Sequence, residues 1–366
     1  MPSFHCYLHS FIQLCICLQL TCTTSLGVRG EMTEESSTTS HVLSVAMTTT
    51  GVTNITGENT VTSSSSRGVE VYFYCAVLVI GVVGTATNAL ILYALVASKQ
   101  HKKHVLIVHQ NVLDLVTSFF MVIIYSVKHC DIYLTGSAGY WQCTLILSES
   151  LIWWGSVGSV INLAIITIER YLKVLHPAVW SNVKLRNRVI YSAMAFAWIA
   201  SFISNVVVVF PTSAVVDGAC YAYAIWRNGT ARFIYYIYKF VFFYVIILFV
   251  FIFCYWRILN VIRRQTKVTA SHIAAVPSTA QAQTQSHQIQ SIVVIKTMIF
   301  VSAFYAIAWL PIYVYLLLLI LNQNPALFGG GYYVSISIAF LYMCTNPFIY
   351  ATKFDPVRKV LLRLIP

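Results

Sequence analysis

Seven long stretches almost free of charge run between residues 71 and 352, and they leave few folds open to this chain. Residues 71–98 carry no Asp, Glu, Lys or Arg; 105–127 carry only Asp114, 142–168 only Glu149, 189–216 none and 233–256 only Lys239. The last such stretch, 297–352, is too long for one helix, and Asn322-Gln323-Asn324-Pro325 with Gly329-Gly330-Gly331 divides it in two. Each piece has about 20 residues or more, the length that a bilayer core requires. With 58% hydrophobic and 9% charged residues, the chain cannot clothe a soluble globule. The expected fold is all-α and integral to the membrane, a seven-helix bundle.

Orientation follows from the basic residues, which concentrate in cytoplasmic loops. Lys99, Lys102 and Lys103 follow the first span; Arg170, Lys173, Lys184, Arg186 and Arg188 lie between the third and fourth. Arg257, Arg263, Arg264, Lys267 and Lys296 surround the loop between the fifth and sixth, and Lys353, Arg358, Lys359 and Arg363 follow the seventh. That places 17 of the 23 basic residues on one side, with the N-terminus outside. The net charge of +12 is thus a matter of topology and of the lipid bilayer, and no nucleic acid is needed to explain it. Two glycosylation sequons, at Asn54 and Asn228, both fall on the expected outer face.

Residues 1–23 read as a signal peptide, with a short apolar run at 11–20 followed by small residues, although Lys and Arg are absent before it. Residues 24–70 are dominated by Ser and Thr, a composition that buries no core and suits a disordered, O-glycosylated arm. Residues 71–352 form the bundle. In 353–366, basic and apolar residues alternate at helical spacing, as in an amphipathic helix on the inner membrane surface. Three outer cysteines, Cys130, Cys143 and Cys220, allow three pairings.

Several motifs recur in one order. Asn88 stands in the first span, Asp114 in the second, Glu169-Arg170-Tyr171 ends the third, Trp198 lies in the fourth and Tyr255 in the fifth. Trp309-Leu310-Pro311 marks the sixth and Asn346-Pro347-Phe348-Ile349-Tyr350 ends the seventh. Taken together the set resembles the rhodopsin-like G-protein-coupled receptors over nearly all of the membrane portion. The resemblance implies a plasma-membrane receptor and not an enzyme. An extracellular ligand would act through an outward swing of helix six, exposing Arg170, Tyr255 and Tyr350 to a heterotrimeric G protein. Pro311 removes a backbone hydrogen bond and would provide the hinge, with Trp309, one turn from the kink, as the implied switch. It also implies a Cys143–Cys220 disulfide, leaving Cys130 free. No protein cofactor is implied, but Asp114, Ser159 and Asn346 would converge on a sodium ion acting as an allosteric ligand. The competing reading is a protonated Asp114 in a polar core without an ion, because Tyr342 stands where a small polar residue is usual.

The ligand end is less specific. Ile152 occupies the position where amine receptors of this family place an aspartate, so a biogenic amine has no anchor. No lysine lies in 297–352, so a retinal Schiff base on the seventh span is excluded. What remains charged is Glu149, Lys128 and Lys239, expected at the ligand pocket together with Ile152 and Tyr313. Lys239 could otherwise snorkel to headgroups. Tyr313, Tyr315, Tyr332 and Tyr333 line a pocket rim or form an interfacial belt. The mixed charge and the tyrosines favour a peptide ligand, with a small anionic or lipid ligand as the alternative and a transporter as a remote one.

Three departures from the family pattern stand out. Ile247 replaces the proline of the fifth span, Tyr305 replaces a phenylalanine, and Cys143 lies about two residues further from Arg170 than usual. Residues 266–290 are expected to be a polar loop without a packed core.

Overall fold

The computed structural model describes residues 60–128, 130, 132–273, 279–322, 329–353 and 355–363. Seven long helices form the bundle: α1 (Thr60–Ala97), α2 (Val105–Lys128), α3 (Gly136–Leu175), α4 (Val183–Thr212), α5 (Gly229–Arg264, continuing helical to Ile273), α6 (Thr279–Asn322) and α7 (Gly329–Lys353). Six of them are long and apolar enough to cross a membrane, and the described side chains of α7 include a shorter apolar run, Gly330–Cys344. The short α8 (Asp355–Leu362) follows, burying Val357 against the bundle while Arg358 and Lys359 stay exposed.

α3 is the central helix, packed on α2, α4 and α5, while α1 closes against α2 and α7, and α6 against α7. Where α2 meets α3 the approach requires glycine, because a Cβ on Gly155 would come within 2.1 Å of Thr117 Oγ1. Contact between α5 and α6 is sparse.

Helical structure reaches beyond the charge gaps at several points. α1 begins at Thr60, inside the stretch expected to be an unstructured arm, and α5 and α6 run into residues 266–290, expected to be a loop. Extension of an already nucleated span needs only favourable propagation, and Ala and Gln supply it in 279–290.

α3 is not one continuous rod. Its N-terminal part (Gly136–Trp141) passes into a π-turn at Gln142–Leu147, and a regular helix restarts at Ser150. Between them Glu149 adopts a left-handed backbone, φ 60°. Serines supply partners at the break: Ser148 Oγ and Ser150 Oγ donate to the Thr144 carbonyl at 2.5 and 3.0 Å, and Ser150 N donates to Ser148 Oγ at 3.1 Å. The extra residue of the π-turn accommodates the long spacing between Cys143 and Arg170.

Between α4 and α5 lies a hairpin of β1 (Ala214–Val216) and β2 (Ala219–Tyr221), with Val215 opposite Cys220. Asp217 and Gly218 turn it with positive φ at both positions, 50° and 77°, the Asp-Gly signature of a tight hairpin. The disulfide Cys143–Cys220, with Cα atoms 5.3 Å apart, ties the hairpin to α3. Cys130 is disulfide-bonded as well, so leaving it out of disulfide chemistry is incorrect. Among the described residues the free cysteines are Cys75, Cys254 and Cys344.

Candidate ligand cavity and switch

Beneath the hairpin a cleft of about 1020 Å³, its open mouth included, descends between α3, α5, α6 and α7 to Trp309. Two charged features line it. On one wall the Glu149 carboxylate accepts from Tyr125 Oη at 2.7 Å and pairs with Lys128 Nζ. The left-handed backbone that points Glu149 this way is unfavourable for a residue with a Cβ, and those two contacts offset it. On another wall Lys239 donates to Asn205 Oδ1 of α4 and lies 5.6 and 5.7 Å from the ring centres of Tyr235 and Phe243. Among the described residues Lys239 has no carboxylate in ion-pair reach, so its charge has only a neutral amide and two ring faces for company.

Tyrosines furnish much of the remaining wall. Tyr223, Tyr235, Tyr236, Tyr313 and Tyr332 line the cavity, Tyr223 Oη donates to the Asn205 carbonyl at 3.1 Å and Tyr235 Oη to the Ser204 carbonyl at 3.2 Å. Burial holds the Tyr223 phenol well above its ordinary pKa, so it acts as a neutral donor. Of the expected rim, Tyr315 packs behind Tyr332 at 5.4 Å and Tyr333 against Phe73 at 4.6 Å; neither lines the cavity. Ile152 does not line it either: it is fully buried in the core, and the neighbouring Trp153 takes the wall position, 6.2 Å from Trp309. Asn205 and Trp153 were not singled out from sequence. An Asn amid apolar residues was the available signal for the first.

At the floor Trp309 is buried, packed on Tyr305 at 5.9 Å and Tyr313 at 6.1 Å, and among the described residues its indole N–H meets no acceptor. Pro311 lies within α6 and Pro347 within α7. Deeper, Ser159 Oγ and Asn346 Nδ2 both donate to Asp114, at 2.6 and 2.8 Å, and Gln110, which was not anticipated, joins them.

At the opposite end Arg170 Nε approaches Glu169 Oε2 at 3.3 Å, while Lys173 pairs with the other oxygen of the same carboxylate. Tyr255 Oη bridges Thr167 Oγ1 at 2.9 Å and Ser302 Oγ at 3.1 Å, joining α3, α5 and α6. Tyr171 packs on His176 and Phe253 at 5.9 Å each. The side chain of Tyr350 and the whole of Asn54 lie outside the described residues. Asn228 is exposed and caps α5, its Oδ1 accepting from Ala231 N at 2.8 Å.

The family described as "7 transmembrane receptor (rhodopsin family)" matches residues 87–350. Among solved structures, the crystal structure of squid rhodopsin is similar over 81% of this chain and 85% of its own, at 18% identity and a TM-score of 0.65, a likeness of fold. No curated protein matches the chain.

Proposed function

Because the chain belongs to the rhodopsin family of seven-transmembrane receptors, and is a receptor rather than an enzyme, we propose that it carries a peptide signal across the plasma membrane to a heterotrimeric G protein. In this reading the N-terminus and the hairpin face outward, and Arg170 and the basic loops face the cytosol. Sugars at Asn54 and Asn228 would then stand outside.

The observation that carries the ligand assignment is the ammonium of Lys239 on the cavity wall. A partly buried cation whose neighbours are an amide and two rings favours an anionic partner. The Lys128–Glu149 pair offers a site for a donor or a second charge, and the hydroxyl-bearing rings suit a peptide backbone. An acidic side chain or a free C-terminal carboxylate would dock on Lys239, and Trp309, below it, would register the contact. From there the Pro311 hinge lets the lower half of α6 swing away, freeing Tyr255 from Ser302 and opening a seat for the G protein beside Arg170. The apolar share of the lining also suits a small anionic or lipid ligand.

A peptide library applied to expressing cells, read by G-protein activation, tests the assignment. Active peptides should carry an accessible carboxylate, and amidating it should abolish the response. Activation by fatty acids alone would favour the lipid reading, and activation by neutral or basic peptides would remove the role of Lys239.

A further inference from the structure

Both oxygens of the buried Asp114 carboxylate meet donors supplied by the chain itself. Ser159 Oγ gives to Oδ1 and Asn346 Nδ2 to Oδ2. The Gln110 amide spans the two, 3.3 Å from Oδ1 and 3.4 Å from Oδ2, and also donates to Ser159 Oγ.

The sense of these bonds is fixed from a distance. An indole N–H can only donate, so Trp198 Nε1, 2.8 Å from His109 Nε2, makes that nitrogen the acceptor and puts the ring proton on Nδ1. Nδ1 then donates to Asn162 Oδ1 at 2.8 Å, which leaves Asn162 Nδ2 to donate to Gln110 Oε1, also at 2.8 Å. Gln110 must therefore turn its NH₂ toward Asp114. A single directed chain of donors runs from α4 through α2 and α3 and back to α2, ending on the carboxylate.

The receptor fold implies a sodium ion beside this aspartate, and the residues present do not fit one. A hard cation needs several oxygen lone pairs converging on one centre, whereas Ser159, Asn346 and Gln110 turn O–H and N–H hydrogens toward the carboxylate; of their own oxygens Asn346 Oδ1 alone is buried without a partner among the described residues, too few to build a shell. Reversing the Gln110 amide to offer its oxygen would set that oxygen against the carboxylate and two NH₂ groups against each other at Asn162. Tyr342, one turn before Asn346, is a fully buried ring packed on Tyr305 at 5.8 Å and brings no small polar ligand to that side.

We propose that the Gln110 amide permanently replaces the sodium ion at Asp114, so that this receptor is held in its resting arrangement without regard to sodium. Thermal unfolding of the purified full chain in detergent, in sodium chloride and in choline chloride of equal ionic strength, is the test. The wild-type midpoint should be the same in both salts. Gln110→Ala removes the donor and opens space beside the carboxylate, and should acquire a sodium-specific rise of about 2 °C or more; Gln110→Ser serves if the alanine variant does not fold. A sodium-specific rise in the wild type overturns the proposal. So does a folded Gln110 variant as indifferent to sodium as its parent, because then the amide is not what stands in for the ion.

Discussion

The hydroxyl of Tyr305 in α6 donates to the backbone carbonyl of Phe243, inside the π-turn Val241–Val245 of α5. A π-turn disturbs the regular ladder of backbone bonds, and here the tyrosine supplies a donor to it. Tyr244 returns the gesture, its hydroxyl donating to the Ala306 carbonyl at 2.9 Å. These bonds stitch together two helices that otherwise touch sparsely.

Replacing Tyr305 with Phe should therefore loosen α6 specifically. Leaving a buried carbonyl short of its donor costs about 1–3 kcal/mol, and if that falls on the resting arrangement alone, unliganded signalling should rise about fivefold or more. Basal G-protein turnover at matched surface expression measures it. A lower melting temperature with unchanged basal turnover would show that the bond persists in both arrangements.

At the ligand cavity, Lys239→Gln keeps a donor for Asn205 and removes the charge. Agonist potency should fall at least about tenfold, or 1.4 kcal/mol, with surface expression unaltered. A superimposable dose-response curve would confine Lys239 to its bond with Asn205.

Glu169 is shared between Arg170 and Lys173, and 288–296 offers no acid while contributing Lys296. Arg170 is thus weakly restrained, and ligand-free signalling should exceed that of mock-transfected cells. Lys173→Ala returns the whole carboxylate to Arg170, and Ser291→Glu adds an acid within α6, five residues before Lys296; each should lower the baseline. For a partly exposed pair the effect is about 1 kcal/mol or less, up to about fivefold. A baseline that neither substitution moves would put the restraint elsewhere.

His104, just before α2, gives a pH dependence. Burial first, then the charges of Arg170, Lys173 and Lys103, push its imidazole down from 6.5 to about 4. The unfolded chain takes up the proton near 6.5 and the folded chain does not, so this contribution to stability is complete above about pH 6.5 and is lost as pH falls toward 4. It amounts to at most about 3 kcal/mol. Melting in detergent between pH 7 and pH 5 should show a decline that His104→Asn flattens; an identical slope in the variant would assign the decline to other groups.

What the sequence revealed and what it hid divide along the range of the interactions involved. The spans depend on charge gaps along single helices and could be read from the chain; the Asp114–Ser159–Asn346 cluster joins three helices, and it and the stations of Arg170 and Trp309 were expected only from the family resemblance. The break at Ser148-Glu149-Ser150 could not, since a lone acid in an apolar run looks the same in a continuous helix. Lys239 was visible as a costly charge, but Asn205, its partner, is 34 residues away and chosen by packing. Ile247 and Tyr305 looked like separate departures from a pattern; in three dimensions the π-turn just before one is the turn whose carbonyl the other satisfies. The Asp217-Gly218 hairpin carried a local signal that the apolar run around it obscured.

The restart of α3 at Glu149 has a mechanical consequence. A continuous helix is a stiff strut that would deliver any pull on the hairpin, through the Cys143–Cys220 link, axially to Arg170. A left-handed residue between the two parts acts as a swivel: the upper segment can tilt with the hairpin while the lower mast, Ser150–Leu175, keeps its alignment within the bundle. Force applied at the mouth is thereby diverted sideways into Lys128 and Tyr125 of α2, the two residues gripping the swivel. In the proposed signalling route the path inward would then run across the cavity floor, with the lower part of α3 as its fixed post.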